Sequence, residues 1–232
     1  MLSGFARPKY FHKLHVSPNG IRDFINEKID QQIKIAKSGN PALIGMKMNS
    51  LSDKQIIAHL YEAAAAGVEI HLIVRGITCL RNDLPELHGN IHVHSIVGRF
   101  LEHSRIYYFV GNGHEEIYLA SADMMTRNLN RRVEELYPVT EEDTKARAIS
   151  IFKNMWKDNE KAWSLKGDHY VKMQPGDQPF NSQQLFMDEA TELRKEEKHK
   201  RKNKKRFSNV FETLTKHVSG LHLRTDDDTS KE

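Results

Sequence analysis

Apolar residues recur at helical spacing over Ile21, Phe24, Ile25, Ile29, Ile33 and Ala36, which predicts an amphipathic helix with one buried stripe. Ser17 and Pro18 read as its cap and first turn, and Gly39 and Pro41 as its stop. The period then changes. Ala42–Met48, apolar but for Lys47, reads as a buried strand. A second helix is predicted from about Asp53, capped by Ser50 or Ser52, with Ile56, Ile57, Leu60 and Tyr61 on its buried face and Gly67 at its end. Residues 68–74 read as the next strand. Strand, helix and strand in this order make a βαβ unit, so the two strands pair in parallel through a right-handed crossover.

Further short strands are predicted over residues 91–97, 106–110, 117–120 and 133–139, and Gly111-Asn112-Gly113 is a hairpin turn between two of them. Thr140 with Glu141, Glu142 and Asp143 caps a last core helix bearing Ala146, Ile149, Phe152, Met155 and Trp156. Residues 167–182, with Pro175, Gly176 and Pro179, read as chain lying over the surface. The pattern defines an α/β fold: a mixed sheet flanked by helices.

Composition narrows the picture. A chain of 232 residues suits one domain, or one domain with a tail. No apolar run approaches the ~20 residues that span a bilayer, and no signal-peptide pattern opens the sequence. The single Cys79 excludes an intramolecular disulfide and fits a reducing compartment, so the expected location is cytoplasmic, with membrane association left open through the basic tail. The net charge of +4 is unevenly distributed: residues 194–232 carry 12 Lys/Arg and 7 Asp/Glu, which leaves 23 basic and 24 acidic residues in the rest. An anion site in the body must therefore come from local placement of cations. The run from Arg194 to Arg206 reads either as a solvated, partly helical or disordered tail or as a dock for a polyanion. The expected division is a domain over residues 1–187 and a tail over 188–232.

Candidate chemistry gathers in three stretches. His103 and Arg105, two residues apart at the start of an apolar run, share a strand face. Arg99 precedes them, and a loop with Ser121, Asp123, Thr126, Arg127 and Asn128 follows the next strand. Arg75 ends the run His71-Leu-Ile-Val-Arg75, at the carboxyl edge of the sheet where ligands of open α/β folds gather, with Arg81 further along. Asn49 lines the same edge or caps the following helix, and Lys47 adds a cation or forms a salt bridge. Asp123 suits a guanidinium. Glu134 fixes the His103 tautomer or pairs with Arg99 or Arg131. An imidazole among fixed cations suits phosphoryl transfer. His12, His15, His59, His71, His88, His92, His94 and His114 show no metal-ligand spacing with a matching set, and the Walker phosphate loop is absent.

Residues 99–109 and 118–134 resemble the second half-site of the phospholipase D superfamily, with Arg105 where that signature has lysine. Together with residues 43–53 and 67–81 they resemble more closely the C-terminal catalytic domain of bacterial long-chain polyphosphate kinases, over roughly residues 4 to 187. The resemblance implies a phospholipase D-like mixed sheet and a role in reversible, ATP-dependent polyphosphate synthesis. It implies that Arg75 and His103 face the nucleotide phosphates, His103 as general acid or base, that Ser121 or Asn128 orients the imidazole through a hydrogen bond, and that Mg2+ is held by phosphates and by other domains. The family's phosphorylated histidine, magnesium-linked arginines and adenine-stacking aromatic lie in domains outside this sequence. The implied partners are ATP or ADP, polyphosphate and those remaining domains, in cis or in trans. The chain is thus expected to be a truncated, excised or split part, with little kinase activity alone. Two other readings stand beside it: a non-catalytic nucleotide or polyphosphate binding module, and a dimeric phospholipase D-like phosphodiesterase.

Overall fold

The computed structural model describes the backbone of residues 11–221 and side chains as far as residue 202. Helix α1, Ile21–Lys37, buries Ile21, Ile25 and Ile29, and strand β2, Ala42–Met48, follows it. Helix α2, Lys54–Ala65, leads to strand β3, Glu69–Val74, which pairs with β2 in parallel as the apolar pattern requires. Strand β4, Ile91–Ile96, extends the parallel set beside β3. Strand β5, Arg105–Gly111, and strand β6, His114–Ala120, form a hairpin antiparallel to the other side of β2. Its turn puts Asn112 and Gly113 at positive φ (51° and 76°), which explains the Asn-Gly pair there. Helix α3, Thr126–Arg131, strand β7, Glu134–Pro138, and helix α4, Glu142–Lys157, come next.

Three strands carry no readable pattern in the sequence. Strand β1, His15–Ser17, pairs with β7, while strands β8, Ala162–Lys166, and β9, His169–Lys172, extend the other flank. The segment expected to lie on the surface thus supplies the edge strand β9. The nine strands run β1-β7-β6-β5-β2-β3-β4-β8-β9. Residues Ile44, Met46, Met48, Ile70, Leu72 and Val74 face the core formed with α1 and α2. On the opposite face Phe152 of α4 presses against β2 at Gly45, where a Cβ would lie 2.6 Å from the Phe152 ring.

The helix caps depart from expectation. Asp53, not Ser50 or Ser52, caps α2 by accepting from Ile56 N–H. Gly20 and Glu141 precede α1 and α4 without side-chain capping bonds. Ser17 instead donates to the Asn128 carbonyl at 2.5 Å. At Ser17 a long-range contact claims the hydroxyl in place of the local helix end.

Contact clustering gives two units, Met1–Gln183 and Gln184–Glu232. The first holds the whole sheet. Helix α5 runs Ser182–Leu221 and so carries the charge run in helical form.

Candidate functional site

Strands β2, β3 and β4 end at one edge of the sheet, and β5 starts there because it runs antiparallel to β2. β6 ends there as well. Backbone hydrogen bonds stitch the loops at this edge together. Leu51 N–H donates to Ile77 O at 2.8 Å, Cys79 N–H to Leu51 O at 2.9 Å, and the amides of Ser52 and Asp53 both donate to Met124 O at 3.0 Å. Gly76 lies so close to this seam that a Cβ would sit 2.7 Å from Asn49 O.

Across the seam runs a chain of polar side chains. Arg75 Nε donates to Asn49 Oδ1 at 2.7 Å. Asn49 in turn donates to Asp123, through its backbone N–H at 2.8 Å and its amide group at 3.2 Å. Asp123 also accepts from Arg105 Nε at 3.1 Å. Arg105 then reaches His103, donating to Nδ1 and to the His103 carbonyl, both at 2.9 Å. Arg75 and His103 are thus joined through three intermediate residues. A guanidinium only donates, so His103 Nδ1 accepts, and the neutral ring carries its proton on Nε2. Among the described residues Nε2 has no partner, and neither do the terminal nitrogens of Arg75.

Burial raises the Asp123 carboxyl, but hydrogen bonds from Arg105 and from Asn49 overcome it and hold the group below its usual value. Asp123 therefore stays ionised at neutral pH and orients a guanidinium; it does not shuttle protons. Arg75 also lines a cavity of about 140 Å³ with Arg99, Phe100, Leu101 and Glu102 among its walls. Arg99 is exposed, its guanidinium 5.4 Å from the Phe100 ring centre.

The other candidates divide. Asn49 serves the edge and not the helix cap. His103 lies just before β5, so the shared strand face is replaced by a direct bond to Arg105. Ser121 and Asn128 do not reach the imidazole: Ser121 donates to Glu134 Oε2 at 2.5 Å and Asn128 to Glu134 Oε1 at 3.1 Å. Glu134 pairs with Arg132 at 3.3 Å, in place of His103, Arg99 or Arg131. These three form a second polar knot that fixes the β6–β7 connection. Arg81 is exposed and paired with Asp83 at 2.7 Å, away from the cavity walls. Thr126, expected in a loop, opens α3 and donates to Asp53 at 2.7 Å. Burial opposes the ionisation of Asp53, yet the bidentate Arg22 contact, Thr126 and the Ile56 amide bring it down to about 2.

Sequence reasoning missed Arg22 and Gln183. Gln183 is buried, accepts from Phe100 N–H at 3.0 Å and donates to Phe100 O at 2.8 Å. Gly98 marks its approach, since a Cβ there would lie 2.5 Å from Gln183 Oε1.

No group of three or more His, Cys, Asp or Glu able to hold a metal occurs among the described residues. Of the carboxylates there, Asp123 is already spent on Arg105 and Asn49, and Glu102 accepts from Gln183. The donor set does not fit the implied magnesium ion.

The chain is thus an α/β domain whose mixed sheet brings a His/Arg pair and a strand-end arginine to one edge. The family model for polyphosphate kinase C-terminal domain 2 matches residues 14–183. The polyphosphate kinase of Lactiplantibacillus plantarum is 58% identical over 192 residues, covering 82% of this chain and 27% of the relative. That of Halalkalibacterium halodurans is 47% identical over 193 residues, with the same coverage of 82% and 27%. The crystal structure of polyphosphate kinase from Porphyromonas gingivalis superposes with a TM-score of 0.77 at 36% identity, over 83% of this chain and 30% of that one. The chain belongs to the polyphosphate kinase C-terminal domain family. It spans about a quarter of the length of the curated relatives it matches.

Proposed function

We propose that this chain is the nucleotide-facing part of a polyphosphate kinase, a transferase that moves the terminal phosphoryl group of ATP reversibly onto polyphosphate. The observation that carries it is the hydrogen-bonded chain from Arg75 to His103, which fixes two groups and leaves their outward nitrogens for an anion. Arg75 takes phosphate oxygens through its terminal N–H groups. His103 presents Nε2–H to the oxygen that gains charge as the phosphoryl bond breaks, as a hydrogen-bond donor. Asn49, Asp123 and Arg105 hold both in place, and Arg99 adds charge at the cavity mouth. The phosphoryl-accepting histidine and any magnesium-linked side chains belong to other parts of a longer enzyme, in cis or in trans. Magnesium enters with the nucleotide.

The domain extends to about residue 187, and the basic segment after it anchors polyanion. A cytoplasmic location fits the exposed free Cys79. No helix of the described residues is long and apolar enough to cross a membrane.

Titration of the 232-residue chain with MgATP and with polyphosphate tests the reading. Arg75→Ala and His103→Ala are each expected to weaken MgATP by roughly tenfold or more, as loss of a charged hydrogen bond does. Unchanged affinity in both variants refutes the site. Binding without turnover, restored to turnover when the remaining domains are supplied, separates this reading from that of a stand-alone binding module.

A further inference from the structure

The β4–β5 connection carries both Arg99 and His103, yet residues 97–104 hold no regular structure. Two buried polar side chains from outside grip its backbone. Gln183 pairs with the amide and carbonyl of Phe100. Lys47, on β2, donates through Nζ to the carbonyls of Glu102 at 3.1 Å and Ser104 at 2.9 Å, the two residues that flank His103.

Lys47 is the unusual member. It is 2% exposed, in a position where β2 otherwise offers apolar residues. Burying an ammonium is costly, and neutral carbonyls return less than a carboxylate would. A methionine of similar length would fill the site more cheaply. A stability role therefore does not account for the lysine; the two carbonyls it selects do.

We propose that Lys47 is a positioning residue for His103: its ammonium holds the peptide carbonyls on both sides of the imidazole and so fixes where the ring is presented. The value of that position for phosphate rests on the function proposed above, whereas the grip on the loop does not.

Burial pushes the Lys47 ammonium down, Glu102 opposes it, Arg75 and Arg105 lower it further and Asp123 raises it, to about 8. These four groups are the charges that face it. The charged grip is therefore complete below about pH 8 and weakens above it, when the neutral amine donates less strongly.

The test uses the isotope-labelled 232-residue chain, with MgATP and inorganic polyphosphate as probes. The His103 ring signals are followed by NMR against pH, and hydrogen exchange is measured at the amides of Leu101 to Arg105. In the wild type the ring signals show an inflection near pH 8, where Lys47 loses its proton. Lys47→Met is expected to remove this inflection, to speed loop exchange about tenfold and to weaken MgATP roughly tenfold at pH 7. Lys47→Arg restores the ring signals at pH 7 without the inflection. If affinity falls in Lys47→Met while the ring and loop are unchanged, Lys47 acts as a bare cation and the proposal fails; it fails equally if nothing changes. If the wild type binds no MgATP but the loop responds, the positioning role stands and the assigned site falls. Should Lys47→Met not fold, the wild-type pH series decides, and absence of the inflection overturns the idea.

Discussion

Histidines within the sheet and the histidine at its edge do opposite things. On the face covered by α4, Trp156 is sandwiched between His71 and His94, with ring centres 4.0 Å away on each side and interplanar angles of 10° and 8°. His71 also meets Glu69 at 2.9 Å, and His92 meets the same carboxylate at 3.3 Å. Burial drives His94 down to about 4, with His71 and His92 adding to the effect, and its buried Nδ1 has no hydrogen-bond partner among the described residues. The His71 and His94 rings pack on Trp156 as neutral aromatic plates. His103 is exposed, unstacked and polarised through Nδ1 by a guanidinium. The difference teaches that chemistry follows the partner of the ring nitrogen, not the presence of the ring.

Trp156→Ala breaks the stack most severely. It removes both stacked contacts and a half-buried aromatic, so unfolding should cost about 3 kcal/mol less while MgATP affinity at the native fraction stays the same. Chemical denaturation checks the first part and calorimetry the second. An equal loss of affinity would show that the two regions are one.

Acid separates them next. The unfolded chain binds the His94 proton more readily than the folded one, so this contribution is complete above about pH 6.5 and is lost as pH falls to about 4. It amounts to about 2 kcal/mol once partial exposure is allowed for. His94→Phe keeps a stacking ring without the titration and should flatten stability over that window. Asp53 and Asp123, both held below ordinary carboxylates, fail only at lower pH, with Asp53 protonating near 2. A denaturation series against pH should therefore show two acid limbs, the stack first and the carboxyl edge second.

The smallest expected effect is that of Asp123→Asn. The substitution keeps the shape but removes the charge that Arg105 and Asn49 share, and should destabilise by about 1 kcal/mol. Its larger consequence is local: the His103 ring signals should shift, whereas those of His71 and His94 should not. Movement of all three would erase the contrast.

Much of this arrangement is legible in the sequence. The βαβ unit shows because β2 is almost wholly apolar and β3 ends in Leu72-Ile-Val74, on either side of a helical repeat. The Gly111–Gly113 turn shows because its backbone requires positive φ. Strands β1, β8 and β9 stay hidden because each has only three to five residues, mixed in polarity, and gains its place by pairing with a neighbour already formed. At the site, strand endings point to Arg75 and to the His103/Arg105 pair. Partner choice does not follow from them. Asp123 serving Arg105 while Glu134 serves Ser121, Asn128 and Arg132 depends on sub-ångström placement of loops. Gln183 gripping Phe100 joins residues 83 positions apart, with no local signal except Gly98.

The seam at Leu51, which ties Thr78 on one side to Met124 on the other, bears on any attempt at transplantation. A designer who grafted only the His103 segment into a new scaffold would bring the ring without the floor that sets its height. Three separate stretches of chain would have to travel together, and a recipient lacking any one of them would display the same residues with a different reach.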